Sequence, residues 1–134
     1  MASFEDQVSA WTTKTEKKLE TAFRKIALDV FSEVIFKSPV DTGRFRGNWQ
    51  VSIGSAKGGT VTLDDKSGAA TIGKVYAETL GLKAGQTIYL VNNLPYARKL
   101  EYGHSQQAPN GFVRITAQRW KPIVDDVSRE LSKS

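Results

Sequence analysis

Residues 4–37 read FEDQVSAWTTKTEKKLETAFRKIALDVFSEVIFK. Apolar side chains recur at Phe4, Val8, Trp11, Leu19, Ala22, Phe23, Ile26, Val30 and Val34, the spacing of one helical face. Neither Gly nor Pro interrupts the run before Pro39, whose ring pushes Ser38 out of helical geometry. Ser3 precedes it with Asp6 three residues on, a capping-box variant with Asp in place of Glu or Gln. The pattern predicts one helix over about 4–37. At 1.5 Å per residue such a helix is about 50 Å long, whereas a compact domain of this chain length is about 36 Å across. It has to bend, break or overhang.

The two halves of that helix differ. From Ala22 to Phe36, ten of fifteen residues are apolar, so the rear half reads as buried in the domain. From Phe4 to Thr21 only five of eighteen are, and Phe4, Val8, Trp11 and Leu19 form a narrow seam broken by Thr15. Such a seam suits contact with another chain. One domain over 1–134 is expected, with residues 1–20 protruding for assembly contacts.

Beyond Pro39, Val40-Asp41-Thr42-Gly43 is a turn by composition. Alternation predicts a strand over about 46–54 and a short return strand at Thr60–Leu63, with a loop between them. Residues 69–80 have helical spacing, with Gly81 at the expected left-handed C′ position. Thr87–Val91 is β-branched and aromatic, which predicts a buried strand. Helical turns are expected around 96–100, then an exposed loop over 104–111. Phe112 to Leu131 reads as a long amphipathic helix in which Pro122 marks a kink or a true start. The fold class is α+β: a small antiparallel sheet packed with a long N-terminal helix and a C-terminal helix.

The chain has 134 residues, no cysteine and one histidine, His104. Disulfides, thiolate nucleophiles and multi-histidine metal sites are therefore excluded. No apolar run approaches the length of a membrane span, and the N-terminus has no signal-peptide pattern, so synthesis in the cytoplasm and no membrane partner are expected. Net charge is +5, spread along the chain: eight Lys/Arg against seven Asp/Glu over 1–50, six against three over 51–100, and five against four over 101–134. A nucleic-acid binder shows a cluster or stripe instead. The mild bias still suits a wall lying near DNA without reading its sequence.

Three motifs suggest chemistry, and each lacks its partners. Gly68-Ala-Ala-Thr-Ile-Gly73-Lys74 matches a phosphate-binding loop until Val75 replaces the hydroxyl that would hold magnesium. Asp41-Thr42-Gly43 is the aspartic-protease triplet, but a chain opening on a long helix has none of the surrounding β-structure. Glu101, His104 and Ser105 share one loop with no supporting scaffold. Glu101 is expected to pair with Arg44 or Arg46 instead. Trp49, Trp120, Tyr89 and Phe112 fit core positions better than base-stacking platforms. No enzyme, cofactor or metal is expected.

Three blocks carry a resemblance: Ser38-Pro-Val-Asp-Thr-Gly-Arg-Phe-Arg-Gly-Asn-Trp49, Ile88-Tyr-Leu-Val-Asn-Asn-Leu-Pro-Tyr-Ala97, and Leu100-Glu-Tyr-Gly-His-Ser-Gln-Gln-Ala-Pro-Asn-Gly111. In this order they resemble the small neck or tail-completion proteins of long-tailed bacteriophages, the lambdoid gene-product-ten-like group. The resemblance spans about residues 22–131. Pro122 departs from it, since that helix should run unbroken. It implies a virion protein at the head–tail junction, a homo-oligomeric ring of six subunits or a multiple of six, and adjacent neck and tail proteins as partners. The expected interface residues are Phe4, Val8, Trp11, Leu19, Arg44, Arg46, Glu101, His104, Ser105 and Gln107. The competing reading is a small basic nucleic-acid-binding protein.

Overall fold

Ser3 starts the first helix as expected. In the computed structural model, which describes residues 3–103 and 105–132 (backbone alone at Trp120 and Leu131), the Ser3 hydroxyl accepts from the Asp6 N–H at 3.1 Å. The Asp6 carboxylate accepts from the Ser3 N–H in return, at 3.3 Å. A cap of this kind is worth about 1 kcal/mol. Helix α1 then runs unbroken from Phe4 to Lys37, 34 residues. It ends where Ser38, extended before Pro39, turns the chain.

A single turn, α2 (Arg44–Gly47), precedes strand β1 (Trp49–Ile53). The strand thus starts three residues later than the alternation suggested, because Asn48 and Gly47 still bond back to Phe45 and Gly43. Helix α3 is Ala69–Thr79 and strand β2 is Ile88–Asn92. β1 and β2 pair antiparallel, with Trp49 opposite Asn92, Val51 opposite Leu90 and Ile53 opposite Ile88. α4 (Ala97–Glu101), α5 (Val113–Gln118) and α6 (Trp120–Ser132) complete the chain. The α+β class holds: α3 packs on β1 and α1, while α5 and α6 pack on α1.

The core gathers Val34 and Ile35 of α1, Phe45, Trp49, Val51, Val75, Leu94, Ala108 and Phe112. Phe45, Trp49 and Phe112 meet edge-to-face, with ring centroids 5.3–5.8 Å apart, an arrangement that adds to simple burial. Buried Leu82 docks after α3, its carbonyl accepting from the Arg24 guanidinium at 2.7 Å.

Four local expectations change, and the break expected from Pro122 is located. Residues 60–63 form no strand; β2 takes the place beside β1, and the Val61 N–H goes to the Asn48 side chain at 2.9 Å. Gly81 is not left-handed: α3 tightens instead, with the N–H groups of Gly81 and Leu82 reaching Glu78 and Thr79. β2 is half-buried rather than buried, and Tyr89 is 37% exposed, because a two-stranded sheet leaves an open side. The 104–111 loop is not wholly exposed, since Ala108 enters the core. The C-terminal helix is two helices. Pro122 has no N–H to offer Gln118, and the chain breaks at Arg119 between α5 and α6.

Candidate assembly surface

The first two blocks singled out in the sequence meet in one polar and aromatic junction. Ser38 is buried; its hydroxyl donates to the Val34 carbonyl at 2.7 Å and accepts from the Trp49 indole N–H at 2.8 Å. Asn48 is fully buried, with its amide spanning the Arg44 carbonyl and the Val61 N–H. The Asn92 amide donates to the Phe45 carbonyl at 2.9 Å, which ties β2 to the turn before β1. Each bond satisfies a group that burial would otherwise leave costly.

Arg46 points inward as a strut. Its guanidinium donates to the carbonyls of Lys66 (2.6 Å), Phe36 (2.9 Å) and Ser38 (2.8 Å), closing the end of α1 against the loop before α3. Burial lowers its pKa, while the charge of Asp65 works the other way. Asp65 is itself buried at the start of α3, accepting from the Gly68 N–H (3.1 Å), the Thr71 N–H (2.8 Å) and the Thr71 hydroxyl (2.7 Å). Burial pushes this carboxyl up, and the hydrogen bonds from Thr71, Gly68 and Ser67 outweigh it, leaving the pKa lowered. The phosphate-loop look-alike is thereby explained. The helix N-terminus where a phosphate would sit already holds a carboxylate of the same chain.

Glu101 does the same for α5. Its carboxylate accepts from the N–H groups of Phe112 (3.0 Å), Val113 (2.9 Å) and Arg114 (2.9 Å), and from the Arg114 guanidinium at 3.0 Å. Burial raises its pKa, but these bonds prevail and the pKa is lowered. Gly111 makes room: a Cβ there would lie 2.5 Å from the Glu101 carboxylate, on a backbone with φ +85°. The expected pairing of Glu101 with Arg44 or Arg46 is therefore replaced by Arg114, because the α5 N-terminus offers three N–H donors that neither arginine can match.

The 39–45 turn and the 100–111 segment lie side by side. The Gln107 side-chain amide clasps Val40, accepting from its N–H and donating to its carbonyl, both at 2.8 Å. Ser105 and Gln107 line a shallow cleft with Asp41, Thr42 and Arg44. Asp41 is exposed there, and the Thr42 hydroxyl accepts from the Arg44 N–H at 3.2 Å. His104 lies outside the described residues. Asp41 and Glu101 thus serve a turn and a helix cap.

The front of α1 stands apart from this junction. Residues 4–14 are exposed without exception. Phe4 is 79% exposed, Val8 45%, Trp11 67% and Leu19 60%. At 3.6 residues per turn, Phe4, Val8, Trp11, Thr15 and Leu19 fall within an arc of about 80°. Ala22, Ile26 and Glu33 fall in the same arc, and Glu33 pairs with Arg119 at the α5–α6 junction. The bare seam therefore continues along α1 into the arc that carries Ala22, Ile26 and Glu33, while the buried Ala27, Val34 and Ile35 lie on another side of the helix.

Residues 2–103 match a protein family described as "Bacteriophage HK97-gp10, putative tail-component". The chain belongs to this HK97-gp10-like phage family. No match was found among curated proteins or among solved structures. The family match covers the first two blocks of resemblance and reaches the start of the third. The gp10-like chain is a phage tail component, which is a structural role and places it in the virion. Among its described residues no helix is long and apolar enough to cross a membrane.

Within this gp10-like fold the expected interface residues fall into two groups. Arg46, Glu101 and Gln107 are engaged inside the chain, and Arg44 and Ser105 border the shallow cleft. Phe4, Val8, Trp11 and Leu19 face solvent on α1. Asp65, Asn48 and Arg114, which hold the junction together, were not singled out in the sequence. Asp65 alone carried a signal, an acid just ahead of a helix start.

Proposed function

We propose that this protein is a neck or tail-completion subunit that joins its own copies in a ring at the head–tail junction and performs no catalytic step. The observation that carries the reading is the front of α1: a rigid helix with Phe4, Val8, Trp11 and Leu19 bare on one seam. An apolar stripe of this kind on a soluble protein marks a contact surface. The family membership supplies the phage particle, and the family resemblance supplies the sixfold count or a multiple of it. Adjacent neck and tail proteins then stack on the faces of the ring. The absence of a catalytic role fits two acids, buried Asp65 and half-buried Glu101, which serve as helix caps.

Imaging purified particles with this protein labelled tests the reading. A ring of label between head and tail is expected. Label spread along the tail shaft, or missing from particles, overturns it.

A further inference from the structure

We propose that the front of α1 docks into an apolar groove on the next copy of the chain, so that copies join head to tail. This rests on the ring reading above. The groove is walled by Phe31 and Val34 of α1, Leu90 of β2, and Val113 and Ala117 of α5, and it holds about 400 Å³. Its floor reaches Trp49 and Thr116, both part of the packed interior. Side chains lining such a hollow lack partners on one side and forfeit the dispersion contacts a filled groove would give. An aromatic side chain such as Trp11 or Phe4 supplies them.

Seam and groove belong to the same chain but cannot meet within it. α1 is one continuous helix, and Trp11 precedes the groove-lining Val30 by 19 residues, about 28 Å along the axis. The occupant therefore comes from another copy. Charge points the same way. Residues 1–21 carry three Lys against four Asp/Glu, a net of −1, with Glu5 and Asp6 at the tip ahead of any Lys. Residues 22–134 carry 16 Lys/Arg against 10 Asp/Glu, a net of +6. Arg114 and Arg119, on or just after α5, are already paired within the chain with Glu101 and Glu33, so the basic excess lies elsewhere on the body. An acidic tip is steered toward this basic body and away from another tip. Two different surfaces joined in this way repeat from copy to copy and close into a ring when the rotation permits.

The alternative occupant is a second arm. Antiparallel arms would set Glu5 and Asp6 near Lys17 and Lys18, but that contact is two-fold and closes at a pair.

The chain has no cysteine, so introduced pairs report cleanly. Thr12→Cys on the exposed arm is combined with Gln118→Cys on α5, leaving Trp11 in place, and a short bismaleimide is added. The control combines Thr12→Cys with Leu80→Cys, an exposed position next to α3. Concentrated protein and purified particles are both treated, after melting curves confirm that each variant folds. The expected result is a ladder of dimers, trimers and larger species for the first pair. The control should show no ladder, and adding Trp11→Ala should remove it from the first pair. Assembled protein without the Thr12–Gln118 link overturns the docking site. So does linkage of Thr12 to Thr12 in the single variant, which would set arm against arm. In both cases a ring in micrographs of the same particles leaves the ring reading standing. Protein that stays monomeric at every concentration and is missing from particles removes the ring reading, and the docking site with it.

Discussion

Arg114 grips Glu101 at two points: its Nε donates to the carboxylate at 3.0 Å and its Nη2 to the backbone carbonyl at 2.6 Å. The same guanidinium lies 4.6 Å from the centre of the Tyr102 ring. One carboxylate thus joins the end of α4 to the start of α5, and through Phe112 to the aromatic core.

Glu101→Gln keeps the size of the side chain and removes the charge that three backbone N–H groups share. Hydrogen bonds to a charged group are worth about 1.5–3 kcal/mol, so unfolding in urea should show a loss of roughly 2 kcal/mol with an unchanged denaturant slope. Arg114→Ala should cost less, about 1 kcal/mol or under, because that side chain is half in solvent. Equal stability of Glu101→Gln and the parent chain would show that the carboxylate contributes nothing to the cap.

Acid should destabilise the protein through two particular groups. The Asp65 and Glu101 pKa values are both lowered in the folded chain. Their contribution is therefore complete above the unfolded carboxylate range, near about pH 4, and is lost as pH falls through the folded values. The melting temperature should hold from neutral pH down to about pH 5 and then drop. Asp65→Asn should start lower and show a shallower acid drop. A variant that keeps the full acid drop would assign it to other carboxylates.

Two glycines should answer alanine with opposite signs. At Gly47 a Cβ would lie 2.1 Å from the Leu63 carbonyl oxygen, so Gly47→Ala has to move backbone and should cost about 1–3 kcal/mol. Gly73 sits inside α3 with nothing within 4 Å of its would-be Cβ. Gly73→Ala should stabilise by about 0.4–1 kcal/mol, because alanine has less backbone entropy to lose. A destabilised Gly73→Ala would reopen the question of what that glycine cradles.

Deleting residues 1–18 should leave the fold intact and end assembly. Residues 3–18 are exposed apart from half-buried Thr15, and the core of α1 begins at Ala27. The urea midpoint should move little, while the large species in sedimentation should vanish. Trp11→Ala should weaken assembly and change stability by no more than about 0.5 kcal/mol, as exposed substitutions do. If the deletion unfolds the monomer, the arm supports its own domain and the assembly idea fails.

Asp41→Asn should leave the melting temperature unchanged, since Asp41 is an exposed turn residue. Neither the parent nor the variant should cleave a peptide library. Cleavage that disappears with Asp41→Asn would establish proteolysis and refute the structural reading of the turn.

The long helix, its cap and its end were legible because each depends on neighbours in sequence. Apolar residues three and four apart, Ser3 beside Asp6, and Pro39 after Ser38 act over one helical turn and do not wait for the rest of the fold. The same holds for α3, whose extent the periodicity located to within a residue, and for Pro122, whose missing N–H breaks the C-terminal helix wherever it is placed. The contrast between a bare front and a more covered rear in α1 also came from composition alone, though only Ala27, Val34 and Ile35 of the rear are buried and Phe36 is exposed.

Which strand pairs with β1, and which cation meets Glu101, are choices among distant partners. The 60–63 stretch had strand-like residues and lost to Ile88–Asn92, which packs Leu90 against the core and brings Asn92 to the Phe45 carbonyl. Arg44 and Arg46 were as plausible in sequence as Arg114, until the fold turned Arg46 onto the end of α1 and set the α5 N-terminus over Glu101. Local dihedral and spacing preferences determine the elements. Only the packed structure decides between long-range contacts, because each must outweigh the entropy of closing its loop and the winner depends on what else is already in place.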